Sequence, residues 1–170
     1  MNYLKLGINL MIFEKYNKFL GNITAILMLL MMVNVFVDVL LRYFLHTGSI
    51  ASQEMEWHLF SVMFLLGIAY ALNSEEHVRV DFIYDNLSAR KKAIINIFGT
   101  IFMLIPFAFL IAYTSFDFVN DAYIMNEISE DPGGLTHRWI IKAMIPASFV
   151  ILIISSLFYI QQNIVKFKEN

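Results

Sequence analysis

The sequence contains no cysteine. That excludes disulfides, thiolate metal sites and a cysteine nucleophile, and it leaves the redox compartment open. Charge is scarce as well. Only 15% of the 170 residues are Asp, Glu, Lys or Arg, against roughly 25% in an average soluble domain. No GxxxxGK(S/T) or GxGxxG loop is present to cradle phosphates, and no HExxH pair to hold zinc. ATP hydrolysis by this chain is therefore not expected. The net charge of −2 gives no general attraction to nucleic acid. Low-complexity linkers and internal repeats are also lacking.

What the chain has in abundance is apolar surface. Fifty-nine per cent of its residues are apolar and its mean hydropathy is +0.65. Four long apolar runs fall at residues 19–45, 57–73, 93–115 and 139–161. A bilayer core of about 30 Å takes roughly 20 helical residues. Lipid offers no hydrogen bonds to the backbone, so the runs should be helices. A β-barrel would need alternating segments of about ten residues. The expected fold is an all-α integral membrane protein, one membrane domain over residues 1–170. It has four transmembrane helices and short amphipathic interfacial helices, the latter at residues 3–18 and 49–57. The first run is long for a signal-peptide core, and no clear small-x-small site follows it. It reads as an uncleaved anchor.

Nine of the twelve basic residues lie on one side of these spans: Lys5, Lys15, Lys18, Arg79, Arg90, Lys91, Lys92, Lys166 and Lys168. The other side carries Arg42, Arg138 and Lys142 near span ends, with Glu54, Glu56, Asp117, Asp121, Glu127, Glu130 and Asp131. The positive-inside rule places both termini in the cytoplasm and the DPGG turn at residues 131–134 outside. Tyr43, Trp57, Trp139 and Tyr159 read as interfacial anchors.

Within the first run, Asn34, Asp38 and Arg42 share a helix face at i, i+4 and i+8. A mid-bilayer charge costs at least about 2.5–3.5 kcal/mol. Asp38 and Arg42 can pair and lower that cost, either as a self-satisfied pair, as a docking face, or as part of a proton or ion relay. Pro106 and Pro146 each predict a kink rather than a broken transporter helix. Gly67 and Ala71 offer a small-xxx-small surface for close helix packing. Asp85 or Ser88 is expected to cap the third helix. The four histidines, His46, His58, His77 and His137, all lie away from span centres, which disfavours axial haem ligation.

The most polar segment between two spans is NSEEHVRVDF, residues 73–82. Glu76 and Asp81 flank His77 as metal ligands would, but companion ligands are missing. The segment reads as a cytoplasmic joint or a solvated loop rather than a place of chemistry.

RYF (Arg42 to Phe44), the acidic amphipathic stretch with Glu54 and Glu56, and FLLGIAYALNSEEHVRVDF (Phe64 to Phe82) occur together in this order. In that combination the chain resembles the small membrane subunit (DctQ type) of tripartite ATP-independent periplasmic transporters. Members often carry an arginine soon after the acidic stretch, where this chain has Trp57 or His58. They often carry a basic residue before the histidine, where it has Glu75 and Glu76. The resemblance implies a large multispan membrane subunit as partner, holding the substrate and sodium sites, and a periplasmic substrate-binding protein on the outer side. This chain would then be a scaffold that braces an elevator-type partner in the bacterial inner membrane, in contact with membrane lipids. It would carry no catalytic residue, no cofactor and no metal, and the transported organic acid (a C4-dicarboxylate, sialic acid or a similar carboxylate) would be chosen elsewhere. Asp38, Arg42, Glu54, Glu56, His77, Arg79 and Asp81 are the candidates for subunit contacts or a structural network. Two rival readings remain at this stage: a membrane anchor of a haem or quinone redox complex, and a self-sufficient small transporter or channel.

Overall fold

The computed structural model describes residues 2–74, 84 and 86–169. Among them there is no strand. The helices are α1 (Asn2–Phe44), α2 (Ile50–Asn73), α3 (Ala89–Gly99), a π-helical segment (Thr100–Leu104), α4 (Ile105–Ile124) and α5 (Trp139–Glu169). α3, the π segment and α4 follow one another without a gap. Four stretches are long and apolar enough to cross a membrane: Met11–Phe44, Ile50–Asn73, Ala89–Ile124 and Trp139–Lys168.

The amphipathic stretches are not separate helices. Nothing between residues 18 and 19 stops a helix, so the N-terminal stretch runs straight into the first span. The 43 residues of α1 reach about 64 Å at 1.5 Å per residue, twice the bilayer core. At α2 the start is set by Ser49, whose hydroxyl accepts from the Ser52 N–H at 3.3 Å. This is an N-cap, and it satisfies a donor that the helix itself leaves free. The acidic stretch thereby becomes the first turns of α2. Ser88 likewise occupies the N-cap position of α3, with φ −62° and ψ 151°, but its hydroxyl accepts no capping bond.

Pro106 has no N–H to give to the preceding turn. The turn before it is widened: Ile105 donates to the Thr100 carbonyl five residues back. Thr100 also returns its hydroxyl to the Asn96 carbonyl at 2.7 Å. α4 ends on Asn126 in the left-handed region (φ 47°). The Asn126 N–H returns to Tyr123 (3.2 Å) and the Glu127 N–H to Ala122 (3.0 Å), a Schellman closure. The expected turn forms at residues 131–134, with Gly133 at φ 89° and Gly134 N–H bonded to the Asp131 carbonyl at 3.0 Å. Proline then glycine at its centre is the type II pattern.

α1 packs on α2, α2 on α5, and α5 on α3 and α4, so α5 is the element that the others share. Leu20, Ala69, Leu72, Ala108, Leu152 and Tyr159 form the core. Small side chains dominate the tightest places: Ala69, Ala108, Ser155 and Ser156 are fully buried. In lipid such residues let backbones approach and gain dispersion contact. Ser156 is satisfied within its helix by the Leu152 carbonyl at 2.8 Å. The close crossing of α1 and α2 is at Gly21, where a Cβ would stand 2.7 Å from the Tyr70 ring; Gly67 has ordinary room beside Thr24.

Polar side chains tie distant helices together. The Tyr16 hydroxyl donates to the Ile151 carbonyl (3.1 Å) and shares a 2.8 Å bond with Ser155 Oγ. Asn96 donates to Asn163 Oδ1 at 2.9 Å and to the Tyr84 hydroxyl at 2.8 Å. Tyr16→Phe should lower thermal stability in detergent by about 0.5–1.5 kcal/mol. The Tyr16→Phe, Ser155→Ala pair should cost less than the sum of the single changes, because both remove the same bond.

Candidate subunit-contact site

Two polar clusters lie at the end of the bundle that carries the 125–138 loop. The first is built on α1 and α2. Arg42 donates to the Asp38 carboxylate one turn back along α1. Asp38 is 2% exposed, whereas the Arg42 side chain is 52% exposed. The carboxylate is therefore closed inside the chain and only the guanidinium faces outward. One turn earlier, Asn34 donates to the Ser52 carbonyl of α2 at 2.9 Å. The i, i+4, i+8 face of α1 is thus turned toward the start of α2.

The second cluster is the clamp at Glu54. Its carboxylate accepts from the Ser129 hydroxyl and from the Leu135 N–H, the latter at 2.6 Å. Ser129 N–H in turn reaches the Leu135 carbonyl at 3.0 Å. A side chain in the second turn of α2 thereby holds both strands of the loop between α4 and α5. Gly134 lies against Ser129 and the Glu54 carboxylate, leaving no room for a larger side chain. Lys142 of α5 pairs with Glu127 and sits 4.0 Å from the centre of the Phe118 ring, closing the loop from its other side.

Of the remaining candidates, Glu56 is half-buried on α2 and takes no part in these bonds. His77, Arg79 and Asp81 lie outside the described residues. Of the segment at 73–82 only Asn73 and Ser74 are described. Asn73 is buried, and neither polar atom of its side-chain amide has a hydrogen-bond partner among the described residues. The structure thus brings Asp38 and Arg42 together but keeps Glu54 in a separate cluster. Sequence reading missed the Glu54–Ser129–Leu135 clamp, the Lys142–Glu127 pair and the Tyr16 and Asn163 bonds. The only sequence signal for the clamp was an acidic residue on one loop side and a DPGG turn on the other.

Among the described residues no group of three or more His, Asp or Glu is placed to hold a metal ion. His58 and His137 both line an apolar groove of about 330 Å³ between α2 and α5, and the His137 ring is bonded to the Thr136 hydroxyl at 2.8 Å. The arrangement favours holding helices and a loop in fixed relation. Glu54→Ala should speed amide hydrogen exchange at Leu135 and Ser129 and hasten proteolysis within residues 127–138, with exchange in α5 unchanged. Equal exchange in both proteins would show that the clamp does not order the loop.

Comparison with known proteins agrees with this architecture. Residues 31–168 match the family described as tripartite ATP-independent periplasmic transporters, DctQ component. A Haemophilus influenzae protein described as a TRAP transporter small permease is 30% identical over 152 residues, 88% of this chain and 94% of that protein. The sialic acid TRAP transporter permease protein SiaT of a further Haemophilus influenzae strain is 28% identical over 131 residues. These are 77% of this chain but only 20% of that longer protein. Members of the matched family are transport components, so the redox-anchor reading falls and the chain is not an enzyme. The chain belongs to the DctQ component family of the tripartite ATP-independent periplasmic transporters, as a multi-pass small permease subunit.

Proposed function

We propose that this chain braces a large permease that carries out sodium-coupled uptake of an organic acid, with substrate delivered by a periplasmic binding protein. In this reading the chain sits in the bacterial inner membrane with both termini in the cytoplasm, and the clamped loop at residues 125–138 faces the binding protein. The observation that carries it is the closure of Asp38. The charge set deepest in α1 is paired with Arg42 of the same helix, which supports leaving substrate and ion sites to the partner. α1 supports the same reading, since only 6% of its most apolar window is buried within the chain. Lipid and a partner helix are both able to cover that surface. Arg42, Glu56 and the Glu54 clamp are the groups offered to partners at the loop end; His77, Arg79 and Asp81 are assigned to the cytoplasmic joint. C4-dicarboxylates and sialic acid are both candidate substrates.

The lack of cysteine makes the orientation easy to test. A membrane-impermeant maleimide should label Glu130→Cys in intact spheroplasts and Lys91→Cys only after permeabilisation. The reverse pattern would invert the topology.

Affinity-tagged chain should retain a multispan partner in mild detergent. Labelled organic acid should enter proteoliposomes only when both membrane proteins, the binding protein and a sodium gradient are present. Uptake by this chain alone would overturn the proposal. Arg42→Ala, Arg79→Ala or Asp81→Ala should lower assembly or uptake while leaving substrate preference unchanged.

A further inference from the structure

Between α1 and α2, at the end of the bundle remote from the clamp, lies a groove of about 430 Å³. Lys18, Gly21, Asn22, Thr24, Ala25 and Met28 of α1 line it, with Tyr70 of α2. The lining is graded. Lys18, Asn22 and the Tyr70 hydroxyl offer three hydrogen-bond donors at one end; Ala25 and Met28 form an apolar floor at the other. None of the three donors is bonded within the described structure, and Thr24 is already satisfied by the Leu20 carbonyl at 2.8 Å. Gly21 lets the Tyr70 ring form one wall of the groove close against α1: a Cβ there would stand 2.7 Å from the ring.

The grading follows the bilayer. Lys18 and Arg42 are 24 residues apart, about 36 Å along α1, which matches a hydrocarbon core with a cation near each edge. From Lys18 to Met28 is about 15 Å, the depth of one leaflet. A cation with no partner among the described residues, an amide and a hydroxyl at headgroup level, above an apolar trough one leaflet deep, complement a phosphate ester joined to an acyl chain. We propose that this groove binds one phospholipid, with its phosphate on Lys18, Asn22 and Tyr70 and an acyl chain along Ala25 and Met28. It requires that the chain spans the bilayer and requires no assignment of sides.

The test is native mass spectrometry of the full chain in mild detergent, titrated with phosphatidylglycerol. Wild type should retain one tightly held lipid. Lys18→Ala should weaken that binding about five-fold, the effect of one lysine near anionic lipid, and Lys18→Arg should restore it. Tyr70→Phe, which keeps the ring against Gly21, should weaken it too. Ala25→Phe should block it by filling the trough without altering charge. Lys91→Ala, a cation outside the groove, should change nothing. Equal retention by Lys18→Ala, Tyr70→Phe and wild type would overturn the proposal, even if Ala25→Phe fails to fold. Loss of a co-purifying protein partner in Ala25→Phe with lipid retention unchanged would also overturn it, by assigning the groove to a partner helix. Neither readout involves transport, so failure here is separable from failure of the scaffold reading.

Discussion

A backbone in lipid has no water to bond to, and every N–H and C=O left unpaired there costs several kcal/mol. The rest of this molecule follows from that constraint. It makes each apolar run a helix, and it decides what happens where a helix cannot continue normally. Pro106 lacks a donor, and in the widened turn at Thr100–Leu104 the Ile105 N–H bonds to the Thr100 carbonyl. Serine and threonine hydroxyls at Thr100, Ser148 and Ser156 fold back onto carbonyls of their own helix. The helix-ending asparagine and the N-cap serine do the same work at the ends.

The hydrophobic effect that drives soluble folding is nearly absent between helices in a bilayer, so packing and polar crosslinks must take its place. Here the crosslinks are few and placed at the ends of the bundle: Tyr16 to Ser155 and Asn96 to Asn163 at one end, Asn34 to Ser52 and Glu54 to the loop at the other. The middle is held by small residues in contact. A bundle fixed at both ends and smooth between them fits the bracing role proposed above. It leaves the broad apolar faces of α1 and α4 available to lipid and protein alike.

Much of this was legible in the sequence. Apolar run length predicts four spans because bilayer thickness is a fixed ruler. The Asp38–Arg42 pair follows from i, i+4 spacing, which needs no knowledge of other helices. The turn at residues 131–134 follows from proline and glycine side-chain sterics alone. The missed features are of another kind. Glu54 meets Leu135 across 81 positions of chain, and Tyr16 meets Ser155 across 139. No local period encodes such pairs; they depend on which helix faces which. The interfacial helices expected at residues 3–18 and 49–57 merge into α1 and α2 for the opposite reason. Nothing in the local sequence interrupts either helix.

The π-helical segment has a further effect on α3 and α4. The residues that these helices turn toward the bundle interior, Asn96, Thr100, Leu104, Ala108 and Ala112, recur every four positions. A normal turn has 3.6 residues, so such a column winds around its helix by about 40° per step. Over the whole column it would leave α5 and face outward. The wide turn lets the winding fall back midway. It acts as a phase correction, by which one long rod keeps the same edge against α5 on both sides of its proline.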